Sequence, residues 1–348
     1  GFRDRIVAMA RFLADVSPTG GQPPQIGDAD NGFVARFDAS WPADPFVDVL
    51  AAVAVSCKAD LPMIATPVTQ KVYWYGFIVS RLPSHDSGRN SAQGIQANSY
   101  PRVYPKGGYA ILGCDDVHMV FDAGSLGYPS IAAHGHADAL SICLAIGGQW
   151  WLIDPGTYVY HSKPEWRDYF RGTMAHNTIV VDGRNQSEIG GPFLWNRRAN
   201  AKLMEISNNS AEQLVTGIHD GYRNIRVTHR REVHYSPQYA RITIIDEVTG
   251  HDHHSLDIHF HLSPTASGSL DASREGSIFN ATMDHNPYRL IFSLDNSISW
   301  DSVTGRRSPL LGWYSPTLGL VEPCTVLRGR YTGVLPKTIT TRINIERL

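Results

Sequence analysis

The run Leu140-Ser-Ile-Cys-Leu-Ala-Ile-Gly-Gly-Gln-Trp-Trp-Leu-Ile153 sets two short apolar segments, rich in β-branched and aromatic residues, around a pair of glycines. Adjacent glycines tolerate positive φ, so this pattern predicts a hairpin with a tight two-residue turn. Gln149 then lies opposite Ile146, and Asp154 opposite Ser141. Short runs of the same kind, bounded by Gly, Asn, Asp or Pro, continue on both sides: Val117–Phe121, Thr178–Val181, Leu214–Ile218, Arg241–Val248, Leu256–Leu262, Leu290–Leu294, Val321–Leu327 and Thr338–Ile345. Many short strands with turn punctuation predict a mainly β chain, a large antiparallel β-sandwich over residues 108–348.

Upstream the period changes. Ile6, Met9, Ala10, Leu13 and Val16 recur at three- and four-residue steps and predict a helix with one apolar stripe, ended by Pro18, Gly20, Gly21, Pro23 and Pro24. Asp44-Pro45 reads as a second helix start, with Phe46, Val49, Leu50, Val53 and Cys57 on one face. Thr66-Pro67 opens a third segment through Val79, read as helix although its residues also suit a strand. Residues 1–82 are thus a helical domain, and the Pro-, Ser-, Gly- and Asn-rich stretch 83–107 a linker.

Composition limits the function. The 348 residues are 42% hydrophobic and 18% charged, which describes a folded chain rather than a disordered one. The net charge of −2 and the lack of a Lys/Arg block argue against nucleic-acid binding. No apolar run is long enough to span a bilayer as a helix, so membrane insertion is not expected. Cys57, Cys114, Cys143 and Cys324 are scattered without a Cys-x-x-Cys pair and indicate neither a zinc knuckle nor a disulfide framework. The opening Gly1-Phe2-Arg3 reads as a chain cut from a longer one.

Three polar islands interrupt the apolar runs between Ala132 and Gly183: His134-Gly-His136-Ala-Asp138, Ile153-Asp154-Pro-Gly156 and Ala175-His176-Asn177. His134 and His136 share a side of an extended segment, and Gly135 between them permits close approach of another backbone or a sugar. His136, Asp154 and His176 form a three-ligand metal set with open positions. The hairpin register sets His136 five residues beyond the partner of Asp154, about 15 Å away along a straight strand. Direct ligation therefore demands a bend, placed near Ala137-Asp138. His251-Asp-His253-His254 with His259 and His261 reads first as a polar strand edge with solvated histidines and second as a rival metal cluster.

These islands, with Ile153-Asp-Pro-Gly-Thr-Tyr158, Tyr169-Phe-Arg171, Ala175-His-Asn-Thr-Ile-Val-Val-Asp-Gly183 and Ile26-Gly-Asp-Ala-Asp30, resemble the heparinase II/III-like family of polysaccharide lyases. The resemblance implies an (α/α) toroid, here reduced to its last helices, followed by the sandwich. It implies β-elimination on a uronic-acid-containing polysaccharide of the heparin, heparan or alginate kind, and a periplasmic or secreted bacterial enzyme. It also implies that His136, Asp154 and His176 hold a structural zinc while His134 faces the substrate, and that further catalytic groups lie on helices upstream. The chain alone is then a poor catalyst. A homodimer remains open.

β-Elimination needs a base for the carbon-bound proton, an acid for the departing oxygen and a partner for the uronate carboxylate. His134 and Tyr160 are the candidates for proton transfer, and Tyr158, Arg171, Asn177 and Trp166 for substrate contact. Each has a plain alternative: strand tyrosines and tryptophans pack, Arg171 pairs with Asp168 or Glu165, and Asn177 satisfies backbone groups. Between Tyr160 and Tyr235 there are 11 Lys/Arg against 8 Asp/Glu, an excess that agrees with an anionic ligand. Two other classes share these residues: an iron oxygenase with a two-histidine, one-carboxylate site, and a carbohydrate-binding sandwich without catalysis.

Overall fold

The hairpin at Gly147-Gly148 forms as its sequence dictates. In the computed structural model the strands Ile142–Ile146 and Gln149–Leu152 are antiparallel, Ile146 faces Gln149, and the glycines take φ of 61° and 79°. The structure describes residues 1–29, 45–59, 61, 100–128, 130–209, 211–273 and 276–348. Helices α1 (Phe2–Val16) and α2 (Pro45–Cys57) belong to one compact unit; the segment beginning at Gln25, with everything from Tyr100 to Leu348, forms another.

In the helical unit α1 and α2 pack through Ala10, Leu50 and Leu61, with Val7, Leu13, Ala14, Val53 and Ala54 around them. The buried stripe of α1 is rotated from the one expected, since Met9 is 70% exposed. Pro45 opens α2 as expected, yet Phe46 and Val49 face outward and Leu50, Ala51 and Cys57 inward. The third expected helix, and residues 83–99 of the expected linker, lie outside the described residues.

The β unit is a sandwich. One layer is an eight-stranded antiparallel sheet, in spatial order Ala266–Ser273, Gly276–Met283, Tyr288–Leu294, Lys337–Arg347, Arg241–Thr249, Thr228–Ser236, Gln213–His219 and Ala201–Asn208. Its strands Thr228–Ser236 and Arg241–Thr249 alternate buried and half-buried residues with period two. The facing layer has two parts. A five-stranded meander runs from Arg102–Tyr104 through Gln149–Leu152, and a four-stranded sheet orders Ser299–Thr304, Thr325–Val334, His253–His261 and Ile179–Val181. Both parts send apolar side chains into one core with the eight-stranded sheet, including Phe121, Leu144, Ile258, Phe260, Val233, Ile244 and Phe292. Burial of that surface, at about 25 cal/mol per Å², is the main force holding the layers together.

The structure departs from expectation at three places. Arg102–Tyr104, inside the expected linker, is a strand paired with Tyr109–Cys114. The chain leaves the hairpin register early: a bulge between Leu144 and Ala145 shifts the pairing, and Ile153 donates its N–H to the His261 carbonyl at 3.0 Å. That bond seats Asp154 against the four-stranded sheet. The required bend sits at Asp138–Ser141, where Ser141 N–H reaches the Asp138 carbonyl and Leu140 is held at φ 63°. Leu140, expected to begin a strand, instead closes this turn with its side chain in the core.

Candidate metal centre and its open histidine

The loop carrying His134 and His136 precedes that bend and packs tightly. A Cβ on Gly135 would lie 2.6 Å from the Gly127 nitrogen, so the glycine serves close approach of another backbone. Ala137 N–H donates to the Arg171 carbonyl at 2.8 Å. His176 caps a short 3₁₀ turn, Thr173–Ala175, immediately before the strand Ile179–Val181. Asp154 follows the hairpin and accepts Gly156 N–H at 3.2 Å, a turn set by Pro155-Gly156.

These three elements converge. His136, Asp154 and His176 offer donor atoms all within 4.8 Å of one another, the one such group of three among the described residues. All are buried, at 1%, 5% and 0% exposure. His176 Nδ1 lies 3.1 Å from Asp154 Oδ2, and the His136 and His176 rings are 5.3 Å apart. His136 Nδ1 and His176 Nε2 are buried without a hydrogen-bond partner. Leaving such nitrogens unpartnered costs about 1–3 kcal/mol each, a cost that a cation between them would remove. The donor set, two imidazoles and one carboxylate, therefore fits a borderline divalent metal such as zinc.

Asp28 completes the cluster, and sequence reasoning assigned it no role. Its Oδ1 lies 3.0 Å from His136 Nε2 and its Oδ2 3.1 Å from His134 Nδ1. Arg167, on helix α3 (Pro164–Phe170), grips the same carboxylate with Nη1 on Oδ1 and Nη2 on Oδ2 at 2.8 Å. Burial raises the Asp28 pKa, but hydrogen bonds from His136 and Arg167 and their charges outweigh it and hold the carboxyl well below the usual range. Burial lowers the His136 pKa, partly offset by Asp28, whereas for His176 the charge and hydrogen bond of Asp154 overcome burial and raise it. Gly27 explains how the Asp28 segment approaches: it has φ 72°, a Cβ there would meet the His134 carbonyl at 2.8 Å, and Asp28 N–H donates to that carbonyl.

His134 differs from its neighbours in being open, with 65% of its side chain exposed. With Nδ1 turned to Asp28, Nε2 is the nitrogen left for other partners. Tyr160 packs edge-on to it with ring centroids 6.3 Å apart. His134 and Tyr160 are thus brought together beside the buried triad.

Three of the four expected substrate contacts, Tyr158, Arg171 and Asn177, are buried in the scaffold. Asn177 is fully buried; its amide donates to the Ile142 and Ile153 carbonyls at 2.7 and 2.9 Å, and its Oδ1 accepts His261 N–H at 2.6 Å. It ties the hairpin to the four-stranded sheet and has no edge left for a sugar. Arg171 is equally buried, paired with Asp168 at 3.1 Å, bonded to the Pro192 carbonyl and stacked over Trp195. Tyr158 is 5% exposed and packs with Trp166, Phe170 and Trp313, its hydroxyl bonded to Lys163. Trp166 is half-buried in the same cluster, against Tyr158, Phe170 and Trp313. For Tyr158, Arg171 and Asn177 the plain alternative (packing, an ion pair and backbone satisfaction, in that order) is what the side chain does.

The rival cluster does not assemble either. His254 pairs with Asp182 at 2.8 Å, and His259 and His261 share a side with ring centroids 6.0 Å apart without a third donor in range among the described residues. The missed residues are Asp28 and Arg167. The Gly27-Asp28 pair could have signalled a tight approach, but the fourfold use of one carboxylate depends on contacts more than a hundred residues apart.

A family model described as "Heparinase II/III-like, C-terminal" matches residues 97–340. Among solved structures, the chain is similar to a heparan sulfate lyase HepC from Pedobacter heparinus (17% identity, TM-score 0.69, 98% of this chain and 46% of that one). It is also similar to the heparinase III BT4657 gene product (18%, 0.66, 99% and 46%) and to a further heparinase III (16%, 0.65, 99% and 48%). The chain thus spans just under half the length of these structures. A comparison with curated proteins found no significant match.

Proposed function

The chain belongs to the heparinase II/III-like C-terminal family, and from that premise we propose that it supplies the metal-bearing wall of a polysaccharide lyase site. The observation that carries the reading is His134: an open imidazole held through Nδ1 by a buried, arginine-gripped carboxylate, next to Tyr160 and to a buried donor triad. The substrate class we assign is a uronate polymer of the heparan or alginate kind. A polymeric substrate argues for work in the periplasm or outside the cell.

In this reading His134 Nε2 takes the proton on the carbon beside the uronate carboxylate, and Asp28 keeps the proton of the neutral ring on Nδ1. The electron pair of that C–H bond forms the ring double bond as the bond to the glycosidic oxygen breaks. Tyr160 gives its hydroxyl proton to the departing oxygen, and the proton on His134 returns to the phenolate through solvent or the product hydroxyl. Proton transfers of this kind contribute about 10²–10⁴-fold each. His136, Asp154 and His176 would hold zinc, which when bound supplies fixed positive charge that locks the His134 loop. Elimination consumes no water, so the triad's part is to hold the wall in shape.

The test is elimination itself. Joined to the upstream helices that the family resemblance implies, the protein incubated with heparan sulfate, heparin and alginate should yield products with the ultraviolet absorbance of a conjugated unsaturated uronate on one of them, whereas the 348-residue chain alone turns over poorly. His134→Ala should reduce that rate at least about a hundredfold while metal content and unfolding midpoint stay unchanged. Unchanged turnover in the variant, or no unsaturated product from any uronate polymer by the protein joined to those helices, overturns the proposal.

A further inference from the structure

Beside His134 stands a feature that the elimination chemistry does not use. The strands Glu188–Gly191 and Leu194–Arg197 form a hairpin whose pairing of Gly191 with Leu194 leaves Pro192-Phe193 at its tip. Phe193 is 38% exposed, although it is the kind of side chain a soluble surface usually hides. Its ring centroid lies 5.7 Å from that of His134 and 5.4 Å from that of Tyr160.

The tip is held in place from below. Arg167 Nε and Nη2 donate to the Pro192 carbonyl at 3.1 and 3.0 Å, and Arg171 Nη1 donates to it at 3.2 Å. Trp195, on the returning strand, is buried with Ala132 and Ala137, which flank the His134 loop. Two buried guanidiniums on one carbonyl and an indole under the loop fix Phe193 relative to His134. The guanidinium of Arg167 also sits 5.5 Å from the Phe193 ring centroid and 5.4 Å from that of Tyr160.

We propose that Phe193 and Tyr160 form a preorganised aromatic platform that receives the apolar C–H face of a pyranose ring and so presents the neighbouring uronate to His134. The ligand class is a pyranose within an acidic oligosaccharide, and the inference rests on the lyase reading for the orientation of that sugar. An aromatic face suits this task because a pyranose has one face of C–H groups whose burial is favourable, while its hydroxyls stay in water at the rim. Anchoring keeps the entropic cost of binding low. The competing explanation is that Phe193 only covers the Arg167–Asp28 pair. An aliphatic residue of similar size would do that as well.

That contrast defines the experiment. Binding of a heparan-sulfate hexasaccharide and a mannuronate hexasaccharide to the 348-residue protein is measured by calorimetry and by saturation-transfer NMR, with unfolding midpoints in parallel. Phe193→Leu should weaken binding of the preferred hexasaccharide about tenfold and remove saturation of one ring's C–H protons, while Phe193→Trp stays within about threefold of the wild type. Both variants should unfold at the wild-type midpoint. Wild-type affinity in Phe193→Leu overturns the platform, as does loss of affinity that tracks loss of stability, or no binding of either hexasaccharide by the wild type. Elimination measured with the chain joined to the upstream helices, in the wild type and Phe193→Leu, separates the two readings. Product formation with Phe193-independent affinity sinks the platform alone, and Phe193-dependent affinity without product sinks the lyase reading alone.

Discussion

Removing Asp28 tests whether one buried carboxylate organises the wall. Its side chain is fully buried, and it accepts from Arg167 through both oxygens while facing His134 and His136. The Arg167 side chain is 1% exposed. Asp28→Ala therefore leaves the buried Arg167 charge with only the neutral Pro192 carbonyl as hydrogen-bond partner, a loss of about 3–5 kcal/mol for breaking one side of a buried pair. Arg167→Met strands the carboxylate but leaves it two imidazoles, so its cost should be smaller. The double variant replaces both members with apolar groups and should unfold well above the level expected from adding the single losses, with a coupling of about 2 kcal/mol or more. The assay is urea unfolding followed by tryptophan fluorescence, in excess chelator so that metal affinity does not enter through His136. Single losses below about 1 kcal/mol, or additivity within about 0.5 kcal/mol, would refute the reasoning. The functional arm is independent: with metal restored, Asp28→Asn should lower kcat more than it raises KM, because His134 loses the partner that sets its tautomer.

Three further outcomes follow from the same geometry. Purified protein should carry close to one zinc per chain, and chelation should lower its unfolding free energy by about 3–4 kcal/mol, with no such effect in Asp154→Ala; iron in place of zinc, or equal response of the variant, argues against the triad. Asn177→Ala strands two carbonyls and the His261 N–H, costing about 3 kcal/mol at roughly 1 kcal/mol or more per group; lost saccharide affinity at unchanged stability would instead restore it as a substrate contact. Burial, reinforced by the charge of Arg328, lowers the His259 pKa to about 3, so the unfolded chain takes up a proton below about pH 6.5 that the folded chain refuses. The stability present above pH 6.5 should fall on acidification, by up to about 3 kcal/mol at pH 4.5, and His259→Gln should flatten that slope; superimposable profiles of wild type and variant exclude the effect.

What could be read from the sequence was what periodicity and turn chemistry determine locally. Paired glycines at 147 and 148 specify a hairpin in any context, and β-branched runs such as Arg241–Val248 carry their strand period on their face. Strands with polar, weakly patterned sequences were not legible: Ala266–Ser273 and Ala201–Asn208 are strands because neighbours supply their hydrogen bonds, at the two edges of the eight-stranded sheet. Even Thr228–Ser236, whose alternation is regular, hides it because its buried positions include His229 and Arg231. Arg231 shows why burial could not be inferred from residue type. It pairs through both arms with Asp246 and donates to the carbonyls of Leu140 and Asn177, fastening the bend before the hairpin to the opposite layer.

The candidate site divides along the same line. His136, Asp154 and His176 were legible as a set because histidines and a carboxylate set among turn residues have few other uses, and the register itself demanded a bend to unite them. The inward placement of Tyr158, Arg171 and Asn177 escaped the sequence for the same reason that Asp28 and Arg167 were overlooked. A polar or aromatic side chain near a functional island can face the ligand or the scaffold, and which it faces is decided by groups distant in sequence. Asn177 turns inward because the hairpin end and the four-stranded sheet both present unpaired backbone groups to it. His134 stays outward because Asp28 already holds its inner nitrogen. The openness of one histidine is thus a property of a carboxylate more than a hundred residues upstream, which is why only variants at Asp28, and not at the islands themselves, can test how that openness is maintained.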